Sequence, residues 1–202
     1  PIYMIEKIDP QLMEVGAIGN KPTVIASRLS YLLDLKGPNM LVDTACSSAL
    51  VCIHLACQAI RNLECEMALV GSIKLDILPQ VSQVKMGIES PDGRVRAFDD
   101  EANGTGGGEG VAAILLKPLS KAMEDKDHIY AVIKGSAVNQ DGHSMGIAAP
   151  NAIAQEAVLV NAWKSAGINP ETIGYIEAHG TGTRLGDSIE IEGINRAFKR
   201  VT

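Results

Sequence analysis

Met40-Leu41-Val42-Asp43-Thr44-Ala45-Cys46-Ser47-Ser48-Ala49-Leu50 runs from a short apolar stretch through a hydroxyl-rich turn into a segment of helical spacing. Met40 to Val42 reads as a buried strand and Cys46 to Leu63 as a helix apolar on nearly every side, which predicts that it sits inside the protein. Working outward, Ala26 to Leu33 carries helical spacing and stops before Lys36-Gly37-Pro38, where Gly and Pro punctuate. Met67 to Ile73 has apolar residues at both parities, as expected of a strand between two helix layers. After a polar loop from Ser90 to Gly110 the pattern gives strand Val111 to Leu116, helix Leu119 to Glu124 and strand Tyr130 to Val138. A Gly-containing loop from Asn139 to Gly146 precedes helix Ala152 to Ala166, strand Ile173 to Glu177 and helix Asp187 to Phe198. Such alternation predicts an α/β fold with largely parallel, buried sheets.

Bulk properties narrow the function classes. A chain of 202 residues buries roughly 70% of the surface that it exposes when unfolded. Its 46% hydrophobic and 21% charged residues exclude a disordered chain. With 20 Gly and only one Trp, four Tyr and two Phe, elements must pack at short backbone distances. A net charge of −6, with no run of Lys or Arg, excludes the electrostatic footprint of a nucleic-acid or anionic-membrane binder. Apolar runs such as Val111 to Leu116 fall far short of the ~20 residues needed to span a bilayer, so a soluble, cytoplasmic protein is expected. Pro1 enters an apolar segment with neither cap nor turn before it, the mark of an interior piece of a longer chain.

Cys46, Cys52, Cys57 and Cys65 lie close in sequence. In one helix Cys52 falls about 240° around from Cys46, and Cys57 returns to the same face ~16 Å along the axis. A disulfide needs Cα atoms within about 7 Å. No Cys-x-x-Cys pair is present, which argues against zinc, and Cys52, Cys57 and Cys65 read as reduced, mostly buried thiols. Cys46 differs because it stands at a strand-to-helix turn, where unpaired backbone N–H groups and the helix dipole favour a thiolate nucleophile. Its own amide could donate to an oxyanion formed by attack on a carbonyl. The bland alternative is a small residue tolerated at a tight turn.

Of the four histidines, His54 lies ~12 Å along the same helix from Cys46 and cannot reach its sulfur. His128 sits in a charged turn and reads as solvated, and His143 lies in a loop. His179, in Ile176-Glu177-Ala178-His179-Gly180-Thr181-Gly182-Thr183, ends a buried strand and opens a loop of small and hydroxylic residues, the edge of an α/β sheet that usually bears sites. Neither this loop nor Asn103 to Gly110 has the Lys of a P-loop or a dinucleotide fingerprint.

Asp43 to Leu50 (DTACSSAL), Ser90 to Asp99 (SPDGRVRAFD), Gly108-Glu109-Gly110, Gly135 to Gly142 (GSAVNQDG), Ala149-Pro150-Asn151 and Glu177 to Thr183 (EAHGTGT) together resemble the β-ketoacyl synthase (ketosynthase) domains of modular polyketide synthases. The likeness runs through essentially the whole chain in order. Asn103-Gly104-Thr105, Asn151 to Glu156 and Gly167 to Thr172 look most like bacterial assembly lines whose acyltransferase is a separate protein.

The resemblance implies a thiolase-like fold, five alternating α and β layers built from two similar halves. Residues 1–127 would be the later part of the first half and 128–202 the first part of the second. It implies that Cys46 receives an acyl chain from the phosphopantetheine of an acyl carrier protein. His179 would assist decarboxylation of a malonyl-type extender, Thr181 and Thr183 would hold the pantetheine arm, and Glu190 would pair with a buried lysine beside a second histidine. No metal and no directly bound cofactor are implied; the partners are the carrier protein, neighbouring synthase domains and a second copy in a homodimer. Ser188 stands where the family usually has Pro, and Gly107 where an Arg is common. The family pattern continues past Thr202 to the lysine and second histidine and begins well before Pro1, so this segment alone is expected to be inactive. A condensing ketosynthase, a non-elongating acyl-passing one and a non-catalytic structural piece are the readings that this leaves.

Overall fold

The computed structural model describes Lys7, Gly16, Ile18, Gly19 and residues 21–75, 87–146 and 149–201. Helix α1, Pro22–Leu32, starts on the proline that the first helical position favours, since the missing N–H has no partner there anyway. Ahead of the next helix the chain makes a 3-10 turn over Ala45–Ser47, and α2 proper runs from Ser48 to Arg61. Strand β1, Ala68–Lys74, pairs with β2, Gly110–Leu116, in a two-stranded sheet. Helix α3 follows over Leu119–Glu124, then α4 over Ala152–Ala166, a 3-10 turn over Pro170–Thr172, and α5 over Arg184–Val201. Among the described residues no helix is long and apolar enough to cross a membrane.

Two compact units emerge, one of residues 1–72 with 113–127 and the other of residues 73–112 with 128–202. Expected strands at Met40 to Val42, Tyr130 to Val138 and Ile173 to Glu177 carry no strand ladder. A strand exists only through hydrogen bonds to a neighbour. Alternating apolar residues make a segment fit for a sheet without supplying that neighbour. Burial is likewise less than expected. No residue of α2 is buried, and Leu50 is 71% exposed. In β1 only Val70 is buried, and on β2 Leu115 is 65% exposed. Apolar spacing reports that a face is suited to being covered, not which segment covers it.

Packing is tightest in the second unit, where α4 meets α5. Val160, Trp163 and Ala197 are buried together, with Leu159, Ile168, Ile173 and Phe198 packed against them. The rings of Trp163 and Phe198 lie 4.9 Å apart. Asn151 caps α4 with its side-chain oxygen, which accepts the N–H of Ile153 at 3.0 Å and of Ala154 at 3.4 Å. Its Nδ2 donates to the Asp141 carbonyl at 2.8 Å, tying the preceding loop to the cap. Asn151→Ala is therefore expected to lower unfolding free energy by about 1 kcal/mol, the usual worth of such a cap, measured by urea denaturation.

A buried acid links the same two helices. Glu156 accepts from Arg196 Nε at 2.9 Å and Arg200 Nη1 at 3.0 Å. The Arg196 bond, followed by the Arg200 bond, holds the Glu156 carboxyl below its ordinary value of 4.5. A lowered folded-state pKa adds stability that is complete above the unfolded value and is lost as pH falls through the folded one. Melting temperature should fall as pH drops below that ordinary value, and Glu156→Gln should flatten this part of the profile. Scanning calorimetry across acidic pH checks both.

Candidate active site

In the first unit, Cys46 occupies the middle of the 3-10 turn and is exposed. The turn is closed by its own polar groups. The Ala45 N–H donates to Asp43 Oδ1 at 3.0 Å, and the Thr44 N–H donates to Ser48 Oγ at 2.9 Å. Ser47 Oγ reaches the Thr44 carbonyl and hydroxyl, both at 2.9 Å, and Ser48 Oγ donates to the Ala45 carbonyl at 2.7 Å. These bonds hold Ala45 at φ 55°, a left-handed conformation costing a non-glycine residue about 1–3 kcal/mol. The strain presents the next residue, Cys46, two positions before α2 begins rather than within its first turn as expected. Cys52, Cys57 and Cys65 are free thiols, half-buried rather than fully so.

The second unit holds His179, Thr181, Thr183 and Glu190. His179 is exposed and lies in a loop without strand pairing. Its backbone is firmly held: the His179 N–H donates to Glu190 Oε1 at 2.6 Å and the Gly180 N–H donates to Oε2 at 2.9 Å. Both carboxylate oxygens of Glu190 are thus used on the turn that carries the histidine. Thr181 and Thr183 meet through their hydroxyls at 2.9 Å, and Thr183 Oγ1 accepts the Gly186 N–H at 3.1 Å. Of the remaining histidines, His128 and His143 are exposed and His54 lies within α2.

Behind these residues the polar segment expected to be a loop is a bonded frame. The Thr105 N–H donates to the Ile88 carbonyl and the Ser90 N–H to the Thr105 carbonyl, each at 2.7 Å. Asp92 pairs with Arg96 at 2.7 Å. Arg96, then Ser90 and the Arg94 N–H, hold the Asp92 carboxyl well below the usual carboxylate range. Gly104 (φ 143°) donates to the Gly182 carbonyl at 2.9 Å, and a Cβ on it would sit 2.4 Å from the Ser90 nitrogen. Gly182, at φ 71°, would bring a Cβ to 3.0 Å from the Arg96 nitrogen. Glycine at both places lets the frame and the threonine loop touch backbone to backbone. An open cleft of about 710 Å³ lined by Phe98, Asp99, Arg184 and Asp187 does not include His179, Thr181 or Thr183.

Sequence reading misses two participants, Ala45 and Asp187. Ala45 gives no signal, since a left-handed alanine looks like any other. Asp187 reads in sequence only as a helix start, yet it is 6% exposed and bonds to loop amides. No local signal marks it, because one of the two amides that it binds, that of Phe98, is 89 residues away in the chain.

Comparison with known proteins agrees with this architecture. The family model for the β-ketoacyl synthase N-terminal domain matches residues 4–122, and that for its C-terminal domain matches residues 130–202. Polyketide synthase PksM of Bacillus subtilis is 48% identical over 186 residues, 91% of this chain and 4% of that protein. A phenolphthiocerol/phthiocerol polyketide synthase of Mycobacterium tuberculosis is 50% identical over 184 residues, 90% of this chain and 10% of that protein. The solved structure of the ketosynthase from module 6 of the bacillaene synthase of Bacillus subtilis superposes with a TM-score of 0.87 at 48% identity, covering 91% of this chain and 33% of that one. The oxazolomycin ketosynthase domain from Streptomyces albus gives 0.86 at 42% identity, over 90% of this chain and 32% of that one. The chain thus spans about a third of these solved ketosynthases and a much smaller share of the curated synthases. Their thiolase-like fold is the one that the resemblance implies, its α/β class is the one expected from the alternation of elements, and with both family models matched in order the chain belongs to the β-ketoacyl synthase family.

Proposed function

We propose that the chain is part of a ketosynthase of a modular polyketide synthase, extending acyl chains by decarboxylative Claisen condensation. In this reading Cys46 Sγ attacks the thioester carbonyl of an acyl group carried on phosphopantetheine. A new Cys46 thioester forms, and the pantetheine thiol leaves with a proton. A malonyl-type thioester then loses carbon dioxide. His179 donates a hydrogen bond to the thioester oxygen of the resulting enolate, whose α-carbon attacks the acyl-Cys46 carbonyl, forming the carbon–carbon bond and expelling the Cys46 thiolate. Thr181 and Thr183 hold the pantetheine arm, and Glu190 steadies the histidine turn. The substrates come on an acyl carrier protein, so no cofactor is held by these residues. The protein works in the cytoplasm as a homodimer beside other synthase domains.

The observation that carries this reading is an exposed cysteine presented by a strained, hydroxyl-bonded turn ahead of α2 in a chain of this family. Full-length protein containing this segment, supplied with an acyl-pantetheine donor and malonyl carrier protein, should release a β-ketoacyl carrier protein detectable by mass spectrometry. Acyl transfer to Cys46 without any β-ketoacyl product would replace condensation by acyl passing.

A further inference from the structure

Asp187 stands four residues into α5, and its carboxylate is committed to backbone amides from two distant stretches of chain. Oδ2 accepts the Phe98 N–H at 2.7 Å, and Oδ1 accepts the Gly182 N–H at 3.0 Å. Oδ1 also lies 3.5 Å from Thr181 Oγ1. A carboxylate buried to this degree is tolerated when its lone pairs are occupied, and bonds to an ionised acceptor are stronger than neutral ones. Asp suits the place because it is acceptor-only; an amide would turn an NH₂ toward an N–H donor.

The amide at Gly182 lies between the two threonines, and the amide at Phe98 belongs to the frame against which their loop rests. Phe98 is held at φ 59°, another strained non-glycine position. A Cβ built on Gly180 would lie 3.4 Å from its ring. On the other side, Thr183 Oγ1 is pinned by the Gly186 N–H at 3.1 Å. One carboxylate thus joins α5, the Phe98 segment and the peptide that sets the spacing of the two hydroxyls.

We infer that Asp187 is the positioning residue for the Thr181–Thr183 pair, fixing the Gly182 peptide so that both hydroxyls face a pantetheine arm in one geometry. This rests on the proposed role of those threonines. It acts on recognition of the arm and not on the reactivity of the Cys46 thiol.

The test uses the full-length protein and two acyl donors, butyryl-pantetheine and butyryl-ethanethiol, the second lacking the arm. Asp187→Asn should raise KM for Cys46 acylation by butyryl-pantetheine about tenfold, the order expected when a charged hydrogen bond is lost. The rate with butyryl-ethanethiol should stay within about twofold, which a general structural lesion would not allow. Added to Thr181→Ala/Thr183→Ala, the same change should raise KM by less than about twofold more, since coupled residues are not additive. Equal slowing with both donors, an unchanged KM, or full multiplication with the threonine changes overturns the inference. If the threonine pair itself leaves KM unaltered, the proposed role of those residues falls and the inference with it. An effect of the threonines without one of Asp187 overturns the inference alone. Should Asp187→Asn fail to fold, Asp187→Glu, which keeps the charge and displaces it by one methylene, is read by the same comparison.

Discussion

Cys46→Ala is expected to abolish acyl loading and to reduce condensation by on the order of 10⁴-fold or more, because the covalent intermediate then has no atom on which to form. The three other thiols do not substitute for it. Cys52 and Cys57 lie within α2 and are half-buried, and Cys65 follows the helix. None lies at a helix N-terminus, where backbone amides and the helix dipole assist a thiolate. The turn should survive the change, since its bonds run through Asp43, Thr44, Ala45, Ser47 and Ser48 and use no atom of the cysteine side chain. An unaltered melting temperature with no product in a condensation assay is the expected pair of results. Product formation by Cys46→Ala would exclude this residue as the nucleophile.

His179→Ala is expected to separate the two half-reactions. Loading of Cys46 should remain largely intact, while decarboxylation of malonyl carrier protein falls by ~10²–10⁴, the cost of losing one positioned charge-stabilising group. The substitution isolates the imidazole cleanly. Glu190 holds the backbone N–H groups of His179 and Gly180, which alanine leaves in place. Release of labelled carbon dioxide from malonyl carrier protein, measured beside acyl loading, checks the prediction. Lost loading with retained decarboxylation would reverse the roles assigned to the two residues.

Legibility from sequence follows how local each signal is. Helix α3 and helix α4 lie where the spacing places them, because Pro118, Asn151 and Gly167 mark their ends within one residue of the chain. Helix α5 begins three residues earlier than the expected Asp187, since the Thr183 carbonyl and hydroxyl accept the Asp187 and Gly186 N–H groups and carry the first turn through Gly186. Strand expectations succeed at β1 and β2, which pair with each other. At Tyr130 to Val138 they do not, and Tyr130 is 93% exposed there. β-propensity is a property of a segment, whereas a ladder belongs to two.

The site divides in the same way. Cys46 and His179 are visible because each stands at the junction of an apolar run and a turn. Glu190 is identified in sequence only through family resemblance, and the structure gives it a concrete contact in the two amides that it binds. Asp187 is out of reach because the partner that reveals it, Phe98, is 89 residues away. No local pattern carries that information.

Peptide mapping by mass spectrometry, after brief incubation of the full-length protein with a butyryl-pantetheine thioester, tests the role of Cys46 as the acyl acceptor most directly. The expected result is the butyryl mass on the peptide that contains Cys46, with Cys52, Cys57 and Cys65 unmodified. Butyryl label on one of those three with Cys46 left free would contradict it.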